Sequence, residues 1–212
     1  MRKFLAVLIL PLLLMGATYK SREVNQNWKF DAPEALDLLD PLSGKWIIAT
    51  PPKLEKPFLS QKVKYADFPK ALIKDHEYYD FEATTRIYVS SGNEDTQAGG
   101  LILRYRNLYS FYMLFLNTKD KRITLTRASL RGIKVVKREN RPFEPDKWYE
   151  LKAICYLDKI KVLVDGEPIF EAEDKTSTGG KVGLVTAGTS EVYFDGLAVR
   201  SEEIEPVQTQ TQ

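Results

Sequence analysis

The chain of 212 residues has very few of the side chains that bind metals or form cross-links, namely one cysteine, Cys155, and one histidine, His76. A single cysteine excludes an internal disulfide, so the core must stabilise the fold. This composition also excludes a zinc site of the usual His/Cys type. No Ser/His/Asp or Cys/His arrangement for nucleophilic catalysis can be assembled. Because Cys155 falls on the apolar side of an alternating segment, we expect a buried, inert thiol.

The sequence also lacks a hydrophobic run long enough to span a membrane. The apolar run from Phe4 to Met15 is interrupted by Pro11 and follows the basic residues Arg2 and Lys3. This arrangement predicts a secretory signal peptide over residues 1–17, and therefore a secreted or periplasmic protein. An uncleaved N-terminal anchor is the alternative.

An excess of charge of one sign is absent as well, since 31 Lys and Arg stand against 29 Asp and Glu. Without Arg2 and Lys3, 29 residues of each sign remain. Overall charge therefore indicates no nucleic-acid partner. We interpret the basic stretch Lys134, Lys137, Arg138 and Arg141 as a solvated face. The sequence leaves the oligomeric state open.

What the sequence does contain is alternation of apolar and polar residues with a period of two. In residues 79–90, for example, Phe81 and Ile87 alternate with Glu82 and Arg86, as in a half-buried strand. Frequent turn signals follow, among them Asp165-Gly166, which predicts a type I′ hairpin. Helical periodicity is nearly absent, and residues 33–39 suffice for one or two turns only. The pattern predicts an all-β sandwich or barrel of about a dozen short strands.

Four segments are predicted along the chain. The polar residues 18–27 are expected to form a flexible lead-in after the signal peptide, residues 28–200 a single β-domain, and residues 201–212 a disordered tail.

Several short motifs within the β-domain occur in a characteristic order. They are GGLILRY at 99–105, FYML at 111–114, WYELK at 148–152, VLVDG at 162–166, GKVGL at 180–184 and FDGL at 194–197. The series resembles the concanavalin A-like lectin/glucanase superfamily, and within it laminin-G-like and 3-keto-disaccharide-hydrolase-like jelly-roll domains. The resemblance implies a two-sheet antiparallel β-sandwich. It also implies a concave face or rim loops that bind carbohydrate, cleave it, or bind other proteins.

Catalysis of the kind found in family 16 glycosidases requires acidic residues in a run along one strand. The nearest approach here is Asp80 and Glu82, which share a strand face and fit the wet side of an ordinary strand. We therefore assign no catalytic residue and no metal-binding residue.

A carbohydrate site is predicted from the polar faces of three successive strands. Glu82, Arg86 and Tyr88 share a face of the first strand, Arg104 points from the second, and Tyr112 from the third. If the three strands are neighbours with aligned faces, an aromatic ring can stack on a sugar while the charged groups bind its hydroxyls. The alternative is a solvated sheet with a Glu82–Arg104 cross-strand ion pair.

No cofactor is predicted, with one alternative. The loop Asn93-Glu94-Asp95, and Asp195 in the last strand, offer oxygen ligands to Ca²⁺, as the laminin-G-like resemblance implies. An ordinary polar turn has the same composition as this loop.

Three functions remain open. The first is an exported, non-catalytic β-sandwich that recognises a glycan or polysaccharide. The second is a glycoside-hydrolase-like enzyme similar to the 3-keto-disaccharide hydrolases, and the third is a structural or protein-binding module.

Overall fold

The computed structural model describes residues 19–51, 53–62, 68–74, 76–92 and 97–206. The predicted signal peptide 1–17, the loop Asn93–Asp95 and residues 207–212 of the predicted tail lie outside the described residues.

Fifteen strands form within the described residues, most of them with alternating apolar side chains. The strands are β1 (Tyr19–Trp28), β2 (Leu39–Ser43), β3 (Trp46–Ala49), β4 (Phe58–Gln61), β5 (Lys70–Ile73), β6 (Phe81–Val89), β7 (Ala98–Asn107), β8 (Ser110–Asn117), β9 (Arg122–Ser129), β10 (Gly132–Asn140), β11 (Trp148–Tyr156), β12 (Lys159–Val164), β13 (Glu167–Glu173), β14 (Lys181–Thr186) and β15 (Val192–Pro206). Of residues 33–39, which were expected to form one or two helical turns, Pro33–Leu38 form a short 3-10 helix.

The strands form two antiparallel sheets. Sheet A has the order β13-β12-β11-β6-β15-β4-β3, with β1 also paired to β15, and sheet B has the order β10-β9-β8-β7-β14-β5-β2. Neither sheet closes on itself, so the barrel alternative is wrong and the two-sheet antiparallel β-sandwich is confirmed. The β12–β13 hairpin turns at Asp165 and Gly166, whose φ angles of 50° and 80° fit the predicted type I′ turn.

The main core lies between the two sheets. It contains the inward-facing residues of each strand, such as Leu101 and Leu114 from sheet B and Leu151 and Phe194 from sheet A. In β6 the burial alternates from Phe81 to Ile87 as the sequence predicts. Cys155 is buried in this core as expected, and burial raises the pKa of its thiol to about 12.

The domain is longer at both ends than the sequence suggests. The predicted flexible lead-in 18–27 is wrong over residues 19–27, because these residues belong to β1, which pairs with ten residues of β15. Likewise, residues 201–206 of the predicted tail continue β15. Backbone pairing with a long neighbour requires no apolar side chains, so the polar composition of these two segments was misleading.

Candidate functional site

The five residues predicted to form one binding surface lie in different sheets. Glu82, Arg86 and Tyr88 lie on β6 of sheet A, whereas Arg104 and Tyr112 lie on β7 and β8 of sheet B. Although β6 and β7 are consecutive in the sequence, the chain crosses from sheet A to sheet B between them. The expectation of a single shared surface is therefore wrong, and so is the alternative ion pair between Glu82 and Arg104.

Arg104 is fully buried because the backbone breaks the alternation at this position. Its φ angle is 53°, in the left-handed region that a non-glycine residue seldom adopts, and the register between β7 and β8 shifts after Leu103. The guanidinium turns inward and donates hydrogen bonds to the carbonyl oxygens of Ser177 at 2.9 Å and Leu157 at 2.7 Å. Arg104 therefore joins β7 to two loops and does not face an external ligand.

Tyr112 also points into the space between the sheets. It belongs to the main core and has no exposed surface. Burial raises the pKa of its hydroxyl to about 12, and the nearby carboxylate of Asp174 acts in the same direction. Tyr112 is thus a core residue.

The outer face of sheet A carries a row of aromatic side chains across three neighbouring strands. Trp148 of β11 lies directly opposite Tyr88 of β6, which lies directly opposite Tyr193 of β15. The ring centroids are 5.5 Å apart for the first pair and 6.2 Å for the second. Phe58 of β4 covers the row, with its ring 4.8 Å from that of Trp148. Tyr88, Tyr193 and Phe58 are buried, while Trp148 is half-buried and reaches solvent.

A row of charged side chains lies beside the aromatic row on the same three strands. Glu150 of β11 is opposite Arg86 of β6, and Asp195 lies where the register between β6 and β15 shifts. Arg86 donates a hydrogen bond to Asp195 at 2.8 Å, and its guanidinium carbon lies 5.1 Å from the centre of the Trp148 ring. This distance is typical of a cation–π contact. We call Arg86, Trp148, Glu150 and Asp195 the Trp148 surface.

Asp146 supports this surface from the turn before β11. Its carboxylate accepts hydrogen bonds from Tyr88 at 3.1 Å, from the Ser91 hydroxyl at 2.6 Å and from Lys53. Burial works to raise the pKa of Asp146, but these hydrogen bonds outweigh it and hold the pKa far below its ordinary value. The pKa of Tyr88 is raised, first by burial and then by its bond to Asp146. Asp146 therefore stays ionised and fixes Tyr88 beneath Trp148.

Glu82 lies on the same face but away from the Trp148 surface. It is four residues from Arg86, roughly 13 Å along the strand. Its carboxylate lies 3.7 Å from the ammonium of Lys152, and both side chains are about one-third exposed. Of the five predicted residues, the structure thus brings Arg86 and Tyr88 together, and Tyr88 serves as support.

The sequence-based prediction missed Trp148, Glu150 and Asp146, and considered Asp195 only as a calcium ligand. The alternation in β11 placed Glu150 and Lys152 outward, so Trp148 could have been assigned to the same face. What the sequence could not supply was the pairing of β11 with β6, since more than fifty residues separate the two strands.

The described residues contain no group of three or more His, Cys, Asp or Glu side chains arranged to hold a metal ion. Asp195, one of the proposed calcium ligands, is paired with Arg86. His76 packs its ring on Tyr78 with centroids 6.1 Å apart, and its Nδ1 lies 2.9 Å from the Lys74 carbonyl oxygen. Within the described ranges, no helix is long and apolar enough to cross a membrane.

Several solved structures share this fold. The carbohydrate-binding module CBM66 from Bacillus subtilis has 18% sequence identity and a TM-score of 0.65, over 78% of this chain and 95% of the module. A protein of unknown function with a galectin-like fold, also from Bacillus subtilis, has 16% identity and a TM-score of 0.63, over 87% of this chain and 99% of its own. The apo form of the Crh5 transglycosylase has 12% identity and a TM-score of 0.59, over 84% of each chain.

At these identities the likeness establishes the fold alone. No curated protein matches the chain. The family assignment comes from the sequence, because residues 61–200, more than half of the chain, match the sequence model of a single domain family. The matched region includes β6, β11 and residues 192–200 of β15, and these segments carry the Trp148 surface. The chain belongs to the 3-keto-alpha-glucoside-1,2-lyase-like domain family.

Proposed function

We propose that this protein is an exported, non-catalytic carbohydrate-binding β-sandwich that binds a glucoside at the Trp148 surface. The observation that carries the proposal is the aromatic row next to a charged row on the outer face of sheet A. The predicted signal peptide over residues 1–17 supports a secreted or periplasmic location.

The Trp148 surface has the two chemical properties that a sugar requires. A pyranose ring has an apolar side, which contacts the exposed part of the Trp148 indole. Its hydroxyls both donate and accept hydrogen bonds, so Arg86 can donate to them while Asp195 and Glu150 accept. Arg86 and Asp195 are 52% and 38% exposed, so a ligand can reach both groups.

The residues beneath this surface hold it in a fixed geometry. Tyr88 and Tyr193 are buried, and their hydroxyls donate hydrogen bonds to Asp146 and Glu191. Phe58 of β4 packs against the Trp148 ring. A rigid platform loses little conformational entropy when a ligand binds, which favours affinity.

The carboxylate that supports this surface from the turn before β11 is unsuited to act as a general acid. A glycosidase needs a carboxylic acid whose pKa is raised, so that it can donate a proton to the leaving group. Asp146 has the opposite shift, because hydrogen bonds from Lys53, Ser91 and Tyr88 outweigh burial and hold its pKa low. Asp195 is held by Arg86.

The family match supports a second candidate, an enzyme that acts on a glucoside oxidised at its third carbon. In that case the chain would convert a 3-keto-glucoside over time. Incubation with such a compound, followed by chromatography of the products, distinguishes the two candidates. Turnover that disappears in Asp195→Asn would support the enzyme and contradict the non-catalytic proposal.

The proposal is tested by isothermal titration calorimetry with maltose, trehalose and sucrose at millimolar concentrations. We expect at least one of these α-glucosides to bind the wild type and to bind Trp148→Ala at least tenfold more weakly. The matched control is Tyr109→Ala, which removes an aromatic side chain of 57% exposure from the β7–β8 turn and should leave binding unchanged.

Because Trp148 also packs against Phe58, a second variant keeps the test independent of folding. Arg86→Gln removes the charge from an exposed side chain and should also weaken binding, with an unchanged melting temperature. No sugar binding by the wild type, or equal weakening in Tyr109→Ala, would contradict the proposal and favour a structural or protein-binding module.

A further inference from the structure

Charge is distributed very unevenly between the β7–β10 meander and the rest of the molecule. Residues 98–140 contain ten Lys and Arg but two acidic residues, Asp120 and Glu139, a net charge of +8. The remainder of the chain has 21 basic and 27 acidic residues. The near-neutral total therefore conceals one strongly basic region.

One end of this meander also exposes large apolar side chains. The β7–β8 turn presents Leu108 and Tyr109, which are 61% and 57% exposed, and the β9–β10 turn presents Leu130, which is 82% exposed. The first residues of β10 add Ile133, which is 50% exposed. Both turns lie at the same end of sheet B, where they line a common groove of about 420 Å³.

Three cations flank these apolar side chains. Arg106, Arg131 and Lys134 are exposed, and among the described residues none of them forms an ion pair. On the outer face of sheet A the arrangement is different, because Arg86, Lys152, Lys159 and Arg200 each lie against a carboxylate. We call the seven residues of this region the basic apolar end, namely Arg106, Leu108, Tyr109, Leu130, Arg131, Ile133 and Lys134.

Protection of a sheet edge explains only part of this region. Strand β10 is the edge of sheet B, and basic side chains on an edge strand prevent pairing with other chains. That role accounts for Lys137 and Arg138, which lie farther along β10. It does not account for the leucines at the tips of two adjacent turns, because polar residues at these positions would make the protein more soluble.

We propose that the basic apolar end docks on the surface of a lipid bilayer that contains anionic lipids. Leu108, Tyr109 and Leu130 enter the boundary between headgroups and acyl chains, while Arg106, Arg131 and Lys134 contact the anionic headgroups. An acidic polysaccharide would use the cations but would have no need of the protruding leucines. The proposal goes beyond sugar binding, because the Trp148 surface lies on the other sheet.

The test is co-sedimentation with large unilamellar vesicles. It uses residues 18–212, which contain all fifteen described strands, so that the apolar segment 4–15 cannot itself insert into lipid. We expect at least tenfold stronger binding to vesicles that contain about 30% phosphatidylglycerol than to vesicles of pure phosphatidylcholine. Binding to the anionic vesicles should weaken at high salt.

Two double variants separate the apolar and electrostatic contributions. Leu108→Ser with Leu130→Ser, and Arg131→Glu with Lys134→Glu, should each reduce binding to the anionic vesicles at least tenfold. The matched controls are Tyr79→Ser with Tyr156→Ser, exposed aromatic side chains elsewhere, and Lys29→Glu with Lys161→Glu. These controls should bind like the wild type, and circular-dichroism melting checks that all variants fold.

Absence of binding to anionic vesicles would overturn the proposal. The proposal would also be overturned if charge reversal abolished vesicle binding while the two serine substitutions left it unchanged, because the cations alone would then account for the binding. In that event, binding to soluble polygalacturonate by the wild type, but not by the charge-reversed variant, would identify an acidic polysaccharide instead. If every variant still binds the α-glucoside, the loss of vesicle binding does not arise from damage to the Trp148 surface.

Discussion

The two outer faces of the sandwich differ although both sheets are antiparallel. The outer face of sheet A bears charged side chains in cross-strand pairs, such as Arg86 with Asp195. The outer face of sheet B bears a second apolar cluster, which includes Ile102, Phe111 and Met113. The difference shows that a period of two identifies the side facing the main core but leaves the character of the other side open.

The largest expected effect lies on the outer face of sheet B. Met113 is fully buried in the second cluster, so Met113→Ala should lower the free energy of unfolding by about 2–5 kcal/mol. Ile154→Ala on the half-buried outer face of sheet A should cost much less. Urea denaturation measures the free energy of unfolding of both variants. Equal losses of this free energy would show that the two faces do not differ in packing.

A second comparison separates the two arginines that the sequence had placed on one surface. Arg104→Met leaves buried carbonyl oxygens without donors, and we expect a loss of about 2–4 kcal/mol in the free energy of unfolding. Arg86→Met removes an exposed ion pair and should change this quantity by less than about 1 kcal/mol. If Arg104→Met proved as stable as the wild type, the role of Arg104 between the loops would be wrong.

The pH dependence of stability tests the support of the Trp148 surface. Since the pKa of Asp146 is lowered in the folded state, its contribution is complete above the ordinary pKa of about 4 and is lost as the pH falls below it. Asp146→Asn should therefore be less stable than the wild type at pH 7, by about 1–2 kcal/mol. The difference should shrink towards pH 2. Thermal melts across this range measure it, and a constant difference would contradict the assigned hydrogen bonds.

The smallest effect is expected for the outer ion pairs of sheet A. Lys152→Ala breaks a contact of 3.7 Å with Glu82 between partly exposed side chains. It should change the free energy of unfolding by less than about 0.5 kcal/mol and leave α-glucoside binding unchanged. A marked loss of binding would mean that the sugar site extends along β6 to Glu82.

Sequence patterns could predict the fold because most strands carry their own alternation of apolar and polar residues, and hairpins such as β12–β13 carry their own turn residues. The segment from Phe81 to Val89 and the turn at Asp165-Gly166 have the structures that their residues predict. The ends of the domain could not be predicted, because β1 is held by backbone pairing with β15 rather than by an apolar pattern.

The site was only partly predictable, for two physical reasons. A single left-handed residue, Arg104, reverses the direction of its side chain, and such a bulge has no signal in the alternation. The neighbours of β6 are β11 and β15, which come much later in the chain, so the partners of Arg86 follow from the topology. Arg86 and Tyr88 were found because they lie on the strand with the clearest alternation.

The most direct test of the central claim is chemical-shift mapping by ¹H–¹⁵N NMR during titration with the α-glucoside that calorimetry selects. We predict that the largest shifts occur at the indole N–H of Trp148 and at the backbone amides of Arg86, Glu150 and Asp195. Sheet B should remain unaffected. Shifts confined to sheet B, or none at saturating concentrations, would contradict the assignment of the outer face of sheet A as the sugar-binding surface.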